Sequence, residues 1–150
     1  MMKTKIALLI GLLSFSLSVF AAPKYYITAD IVRGGAGAQG PMCVANTIFF
    51  PGEQIVWRAI VYELESQQAL SQEEVKKRGL RVSIALDNGA NLNMRHGLHP
   101  PDPKAPKRDL FWSVSMPIAA TTPVGTIRWS MTATDGNGNT GVFSPIGQDA

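Results

Sequence analysis

The chain has 150 residues, 14 basic and 11 acidic side chains for a formal net charge of +3, and a single cysteine, Cys43. Lys3 and Lys5 lie in the first segment, so the rest of the chain is near neutral at +1, and its one basic cluster, Lys76-Lys77-Arg78 with Arg81, adjoins Glu73 and Glu74. A nucleic-acid footprint is therefore not supported, a lone cysteine excludes an intramolecular disulfide, and the length suits one hydrophobic core rather than two.

In chain order, a leader comes first. Lys3 and Lys5 precede an apolar run from Ile6 to Phe20, closed by Val19-Phe20-Ala21. This is the charged, apolar and small-residue order of a cleavable signal peptide. Cleavage after Ala21 fits, whereas cleavage after Ala22 would put Phe20 in the second recognition pocket and Pro23 just past the bond. The expected division is residues 1–21 as signal peptide and 22–150 as one domain, periplasmic or secreted. A retained anchor competes with this reading, but the run falls short of the roughly 20 residues that a bilayer core requires. No second apolar stretch offers the mature chain a membrane span.

Beyond residue 22 the dominant signal is apolar–polar alternation, which places one set of side chains on one face of a strand. Strands are expected over residues 25–32, 45–50, 54–64, 80–87, 91–95, 110–116 and 126–134. In the last, Ile127, Trp129, Met131 and Ala133 share a face. Between Gln54 and Glu63, the stretch 54–64 is apolar on both faces apart from Arg58, the pattern of a central strand. Turn chemistry separates the runs at Pro51-Gly52-Glu53, Asn88-Gly89-Ala90, Pro123-Val124-Gly125 and Asp135-Gly136-Asn137-Gly138-Asn139. One helix interrupts them: Ser71-Gln72-Glu73-Glu74 is a capping box, Leu70 and Val75 form a hydrophobic staple, and Gly79 is the stop. The predicted fold class is all-β, an antiparallel sandwich with one short inserted helix.

Two stretches carry a resemblance. Phe50-Pro51-Gly52-Glu53-Gln54-Ile55-Val56 resembles the approach to the second strand of bacterial immunoglobulin-like domains, and Pro123-Val124-Gly125 through Trp129 to Asn139 resembles their closing hairpin. The similarity covers much of residues 45–145 and implies an immunoglobulin-like sandwich, as in small periplasmic proteins. It departs from antibody-type domains in lacking the second cysteine of the inter-sheet disulfide.

Run alternately up and down, the expected strands collect the long connections 33–44, 65–79 and 96–109 at one end. Long irregular connections are where scaffolds tend to carry function. Cys43 lies in the first and His96 and His99 in the third, so this walk brings the only thiol and both imidazoles together. With Met42 and Met94 they form the candidate metal ligands: thiolate, thioether and imidazole suit copper, and the same groups ligate haem iron. The competing reading has Cys43, Met42 and Met94 as apolar filler and the histidines on the surface. Cys43 could instead be a nucleophile activated by His96 or His99, with Asp102 available to orient the imidazole, but no oxyanion loop is recognisable.

Gly35-Ala36-Gly37-Ala38-Gln39-Gly40 matches the glycine spacing of dinucleotide sites, yet Pro41 follows where that motif needs a helix, so it reads as a flexible loop. Trp57, Trp112 and Trp129 fall on apolar strand faces and read as core. The expected function is a non-catalytic periplasmic binding or accessory protein that contacts a protein partner at its long-loop end, with copper or haem as candidate ligand. A structural or interaction module without a ligand is the alternative, and an enzyme the third.

Overall fold

The computed structural model describes residues 22–99, 103–106 and 108–146; the expected leader and Asp102 lie outside the described residues. The elements run β1 (Tyr25–Arg33), β2 (Gln54–Glu63), α1 (Gln72–Arg78), β3 (Arg81–Leu86), β4 (Asn91–Asn93), β5 (Arg95–His99), β6 (Asp109–Pro117), β7 (Trp129–Thr134) and β8 (Thr140–Phe143). They form two four-stranded antiparallel sheets, β1-β2-β6-β5 and β4-β3-β7-β8. Lettered in chain order, these are A-B-E-D and C′-C-F-G, the immunoglobulin-like arrangement.

Alternation does what the sequence promises. Along β2 the side chains of Ile55, Trp57, Ala59 and Val61 are buried, and in the opposing sheet Val82, Ile84, Trp129, Met131 and Ala133 meet them. Trp57 and Trp129 pack edge to face across the sandwich, with ring centroids 6.4 Å apart. Burying side chains of this size stabilises the fold by roughly 1.5–3 kcal/mol each, so with no disulfide this core is the main tie between the sheets.

The helix has the expected boundaries. Ser71 Oγ accepts from the Glu74 backbone N–H at 3.3 Å while Glu74 Oε2 accepts from the Ser71 N–H at 2.9 Å. Gly79 ends the helix at φ 61°, where a Cβ would be strained. Leu70 and Val75 are both buried.

Three segments differ from expectation. Residues 45–50 form no strand; only Ala45 bridges Val32. The Asn46 side chain donates to the Ile48 carbonyl and the Phe50 N–H donates to Glu53 Oε2, so local side-chain bonds displace the ladder. Second, the chain passes from β4 in one sheet to β5 in the other through Met94, and the stretch expected to be a loop from residue 96 is strand to His99. Third, the turn at 135–139 returns into β8.

Losing one strand reverses every direction downstream. Connections 34–53, 87–90 and 118–128 share one end, where the Gly52 N–H donates to the Ile118 carbonyl and the Asp87 N–H to the Arg128 carbonyl. The helix and the 135–139 turn share the other, where the Gly136 N–H donates to the Arg78 carbonyl. The expected gathering of loops 33–44, 65–79 and 96–109 at one end is thus incorrect.

Candidate functional site

His96 and His99 are three residues apart on β5, so they point to opposite faces. His96 sits opposite Trp112, faces the sandwich interior and stacks on that indole with centroids 4.7 Å apart. Burial pushes its imidazole below the ordinary histidine range, which favours the neutral ring. His99 sits opposite Asp109 on the outer face of the first sheet and is exposed.

Met94 lies at the β4–β5 crossing, where its N–H donates to the Val82 carbonyl; its side chain is a buried member of the core. Met42 is exposed, and its sulfur folds back against Gly35, 3.2 Å from where a Cβ on that glycine would stand.

Cys43 is exposed and adopts φ 58°, unusual for a residue with a Cβ. Its N–H donates to the Arg33 carbonyl at 2.9 Å, and its Sγ lies 3.9 Å from His99 Nε2. Of the five expected donors, the structure brings Cys43 and His99 together, while Met94 and His96 point to the core side of the sheet. Among the described residues, no group of three or more His, Cys, Asp or Glu side chains is placed to hold a metal ion.

The loop carrying Cys43 is anchored by a carboxylate that sequence reading took for part of a turn. Glu53 is fully buried; it accepts from the Phe50 N–H at 2.9 Å and the Gln39 N–H at 3.0 Å. Arg33 Nε approaches the same carboxylate at 2.8 Å, an ion-pair contact off the hydrogen-bond line. The Phe50 and Gln39 bonds hold the Glu53 carboxyl below its usual range in spite of burial. The glycine run is tucked beneath this clasp: a Cβ on Gly37 would stand 1.8 Å from the Gly52 carbonyl oxygen. Close backbone approach, rather than phosphate binding, accounts for a glycine there.

On the outer face, Arg58 binds Asp30 through both Nε and Nη2 and covers the Phe111 ring, 5.2 Å from its centroid. The Asp30 hydrogen bond first, and more weakly the nearness of Cys43, hold the guanidinium above its ordinary range. Thr28, Asp30, Arg58, Ile60 and Phe111 line a shallow cleft of about 190 Å³. Arg58, the one charge within the apolar stretch from Ile55 to Tyr62, was the signal for this site, and Asp30 on the neighbouring strand is its partner.

A second cleft, about 360 Å³, opens between β1 and β8, with Ile31, Ala45, Trp129, Phe143 and Pro145 in its walls. The loop beside it exposes Met42, Val44, Ile48 and Phe50.

The fold is an all-β antiparallel sandwich, and it carries a thiol–imidazole pair on the outer face of one sheet. Compared with protein-family models, curated proteins and solved structures, the chain finds no match in any of the three.

Proposed function

We propose that this protein is an exported, non-catalytic binding domain whose ligand is a copper ion held by Cys43 and His99. The observation that carries the reading is the 3.9 Å approach of Cys43 Sγ to His99 Nε2, between residues 56 positions apart in the chain. A thiolate and an imidazole together are a donor set that copper favours. Binding fits better than nucleophilic catalysis, because among the described residues no oxyanion-stabilising group is recognisable beside the pair. Export is supported by the pattern from Lys3 to Ala21.

The test is anaerobic titration of residues 22–150 with Cu(I) against a chromogenic chelator. One ion per chain is expected, with loss of binding in Cys43→Ala and His99→Ala variants that keep the parent's thermal transition. Absence of uptake by the parent chain would refute the reading.

A protein-interaction role is the second reading, favoured by the exposed Met42, Val44, Ile48 and Phe50 beside the β1–β8 cleft, since contiguous exposed apolar surface marks interaction sites. On this reading, Ile48→Ser with Phe50→Ser abolishes capture of a periplasmic protein partner and leaves copper uptake unchanged. Capture that survives both substitutions would refute it.

A further inference from the structure

Resting on the interaction reading, we infer that the β1–β8 cleft takes an extended, uncharged peptide segment of a protein partner, added as a further strand along the free edge of β8. Three observations converge on this: an unguarded sheet edge, a hollow beside it, and the charge around both.

Four strands end the two sheets, and three of them are occupied or guarded. The second half of β1 is closed by the loop that follows it: the Cys43 and Asn46 N–H groups donate to the Arg33 and Ile31 carbonyls, and the Arg33 N–H donates to the Val44 carbonyl. β5 carries Arg95, His96 and His99, and charge is an ordinary protection of a sheet edge. β4 ends after three residues, where the chain crosses to the other sheet. β8, Thr140-Gly141-Val142-Phe143, contains neither a charge nor a proline. Which of its backbone groups face outward follows from two hydrogen bonds. The Asn139 carbonyl accepts from the Asp135 N–H, toward β7, and the Thr140 carbonyl accepts from the Lys24 N–H, away from β7. Direction alternates along a strand, so the Val142 N–H and carbonyl also face away from β7 and find no backbone partner among the described residues.

Beside this edge opens the cleft of about 360 Å³, with Ile31, Ala45, Trp129, Phe143 and Pro145 in its walls. Gly141 and Phe143 face the sandwich interior, Gly141 against Tyr25 and Phe143 stacked on Trp129 with ring centroids 5.6 Å apart. A strand laid along β8 would turn alternate side chains the same way, onto Phe143 and Trp129. Main-chain bonds at an open edge together with a pocket for alternate side chains are the two parts of recognition by strand addition. A small apolar molecule would use the hollow without the edge. A second copy's β8 could not fill the hollow, because its inward residues are a glycine and a phenylalanine already stacked on its own Trp129.

Charge sets the chemistry of the segment. Residues 45–50 and 137–146 contain no charged side chain, and Asp30, the one charged residue in the cleft walls, is held by Arg58. A charged side chain entering there would lose its water without gaining a counter-ion, so the residues that face the cleft are apolar.

The probe is a blocked decapeptide, four Thr-Val repeats with one lysine at each end, titrated into residues 22–150 by heteronuclear NMR. Saturable binding is expected, with hydrogen exchange slowed at the Val142 amide, and none with a peptide N-methylated at every second residue. Val142→Pro removes the edge donor at a position where a proline is tolerated, since its N–H faces outward, and should weaken binding roughly fivefold. Ala45→Lys, which puts a charge into the cleft wall from an exposed position, should weaken it at least as much. Both variants should keep the parent's thermal transition; if Val142→Pro does not fold, Ala45→Lys and the N-methylated peptide decide the matter. No binding of the decapeptide, equal binding of its N-methylated form, or binding unchanged in the variants would overturn strand addition. So would a dimer of the parent chain, seen by sedimentation, that Ala45→Lys or Val142→Pro dissociates, since the occupant would then be a second copy. In each case the interaction reading stands if partner capture is lost in Ile48→Ser with Phe50→Ser, and capture that survives those substitutions overturns that reading as well.

Discussion

Asp135 offers the sharpest quantitative test of what fastens the two sheets at the helix end. Its carboxylate, almost wholly buried, accepts from the Tyr25 hydroxyl at 2.7 Å across a separation of 110 residues. It also accepts from the backbone N–H groups of Asn137 and Asn139 and from Asn139 Nδ2, at 2.9, 3.0 and 2.9 Å. Burial alone would raise its pKa, but these bonds outweigh burial and hold the group at about 2, against 3.8 in an unperturbed carboxyl. A depression of that size corresponds to about 2.5 kcal/mol of folding stability. The sign follows from the unfolded chain taking up its proton first: the contribution is complete above about pH 5 and lost as pH falls through 3.8 toward 2.

Asp135→Asn keeps the shape and removes the charge. Urea unfolding of both chains at several pH values is the assay, since carboxylates common to the two cancel in the difference. The variant should be about 2.5 kcal/mol less stable at pH 6, and the gap should shrink to under about 1 kcal/mol at pH 2. A difference that stays constant across that range would refute the assignment of Asp135 as an ionised hydrogen-bond hub.

Other outcomes follow from close contacts and unpaired groups. A Cβ on Gly141 would stand 2.4 Å from the Tyr25 carbonyl oxygen and 2.7 Å from its Cβ, so Gly141→Ala should cost about 2 kcal/mol or more. Gly97 has open space at its Cβ position, and Gly97→Ala should stay within about 0.5 kcal/mol of the parent; thermal melting distinguishes the two. The buried Trp57 Nε1–H has no hydrogen-bond partner among the described residues. Trp57→Phe relieves that unmet donor, and denaturant unfolding should show a net change within about 1 kcal/mol, whereas Trp57→Ala should cost about 3–5 kcal/mol. Glu53→Gln weakens the bonds that pin the glycine loop. Limited proteolysis should then cut first within residues 34–52 with the strands intact, and Cu(I) affinity should fall roughly tenfold, the scale of losing support behind a ligand.

Physical uniqueness decided what could be read from the residues. The helix was legible because Ser71, Glu74 and Gly79 each meet a demand that few residues can: two reciprocal caps and a left-handed backbone angle. The central strand was legible because an apolar run from Ile55 to Tyr62 with one charge has no other home in so small a core. β8 was missed for the opposite reason. Thr140-Gly141-Val142-Phe143 is short, and its glycine is required by the approach of the Tyr25 backbone from the other sheet, a contact that no local pattern encodes.

The misread segment at 45–50 shows how a local error propagates and why the site survived it. Ala45 to Phe50 has the composition of a strand, but a strand needs a free edge and freedom from stronger local bonds. Arg33 and Ile31 offer backbone groups only to residues 43–46, and Glu53 captures the Phe50 N–H. The up-and-down walk then assigns β5, the helix and the last turn to the wrong ends. Cys43 still reaches His99, because the pair does not meet at an end of the sandwich at all. Clasped by Glu53 and Arg33, the loop leaves β1 and carries its thiol over the outer face of the first sheet, where the alternation of β5 presents His99 and turns His96 inward. The donors a ligand would meet are therefore chosen by strand parity on β5 and by a buried carboxylate ten residues from the thiol, and moving either should change the site more than altering Met42 or Met94.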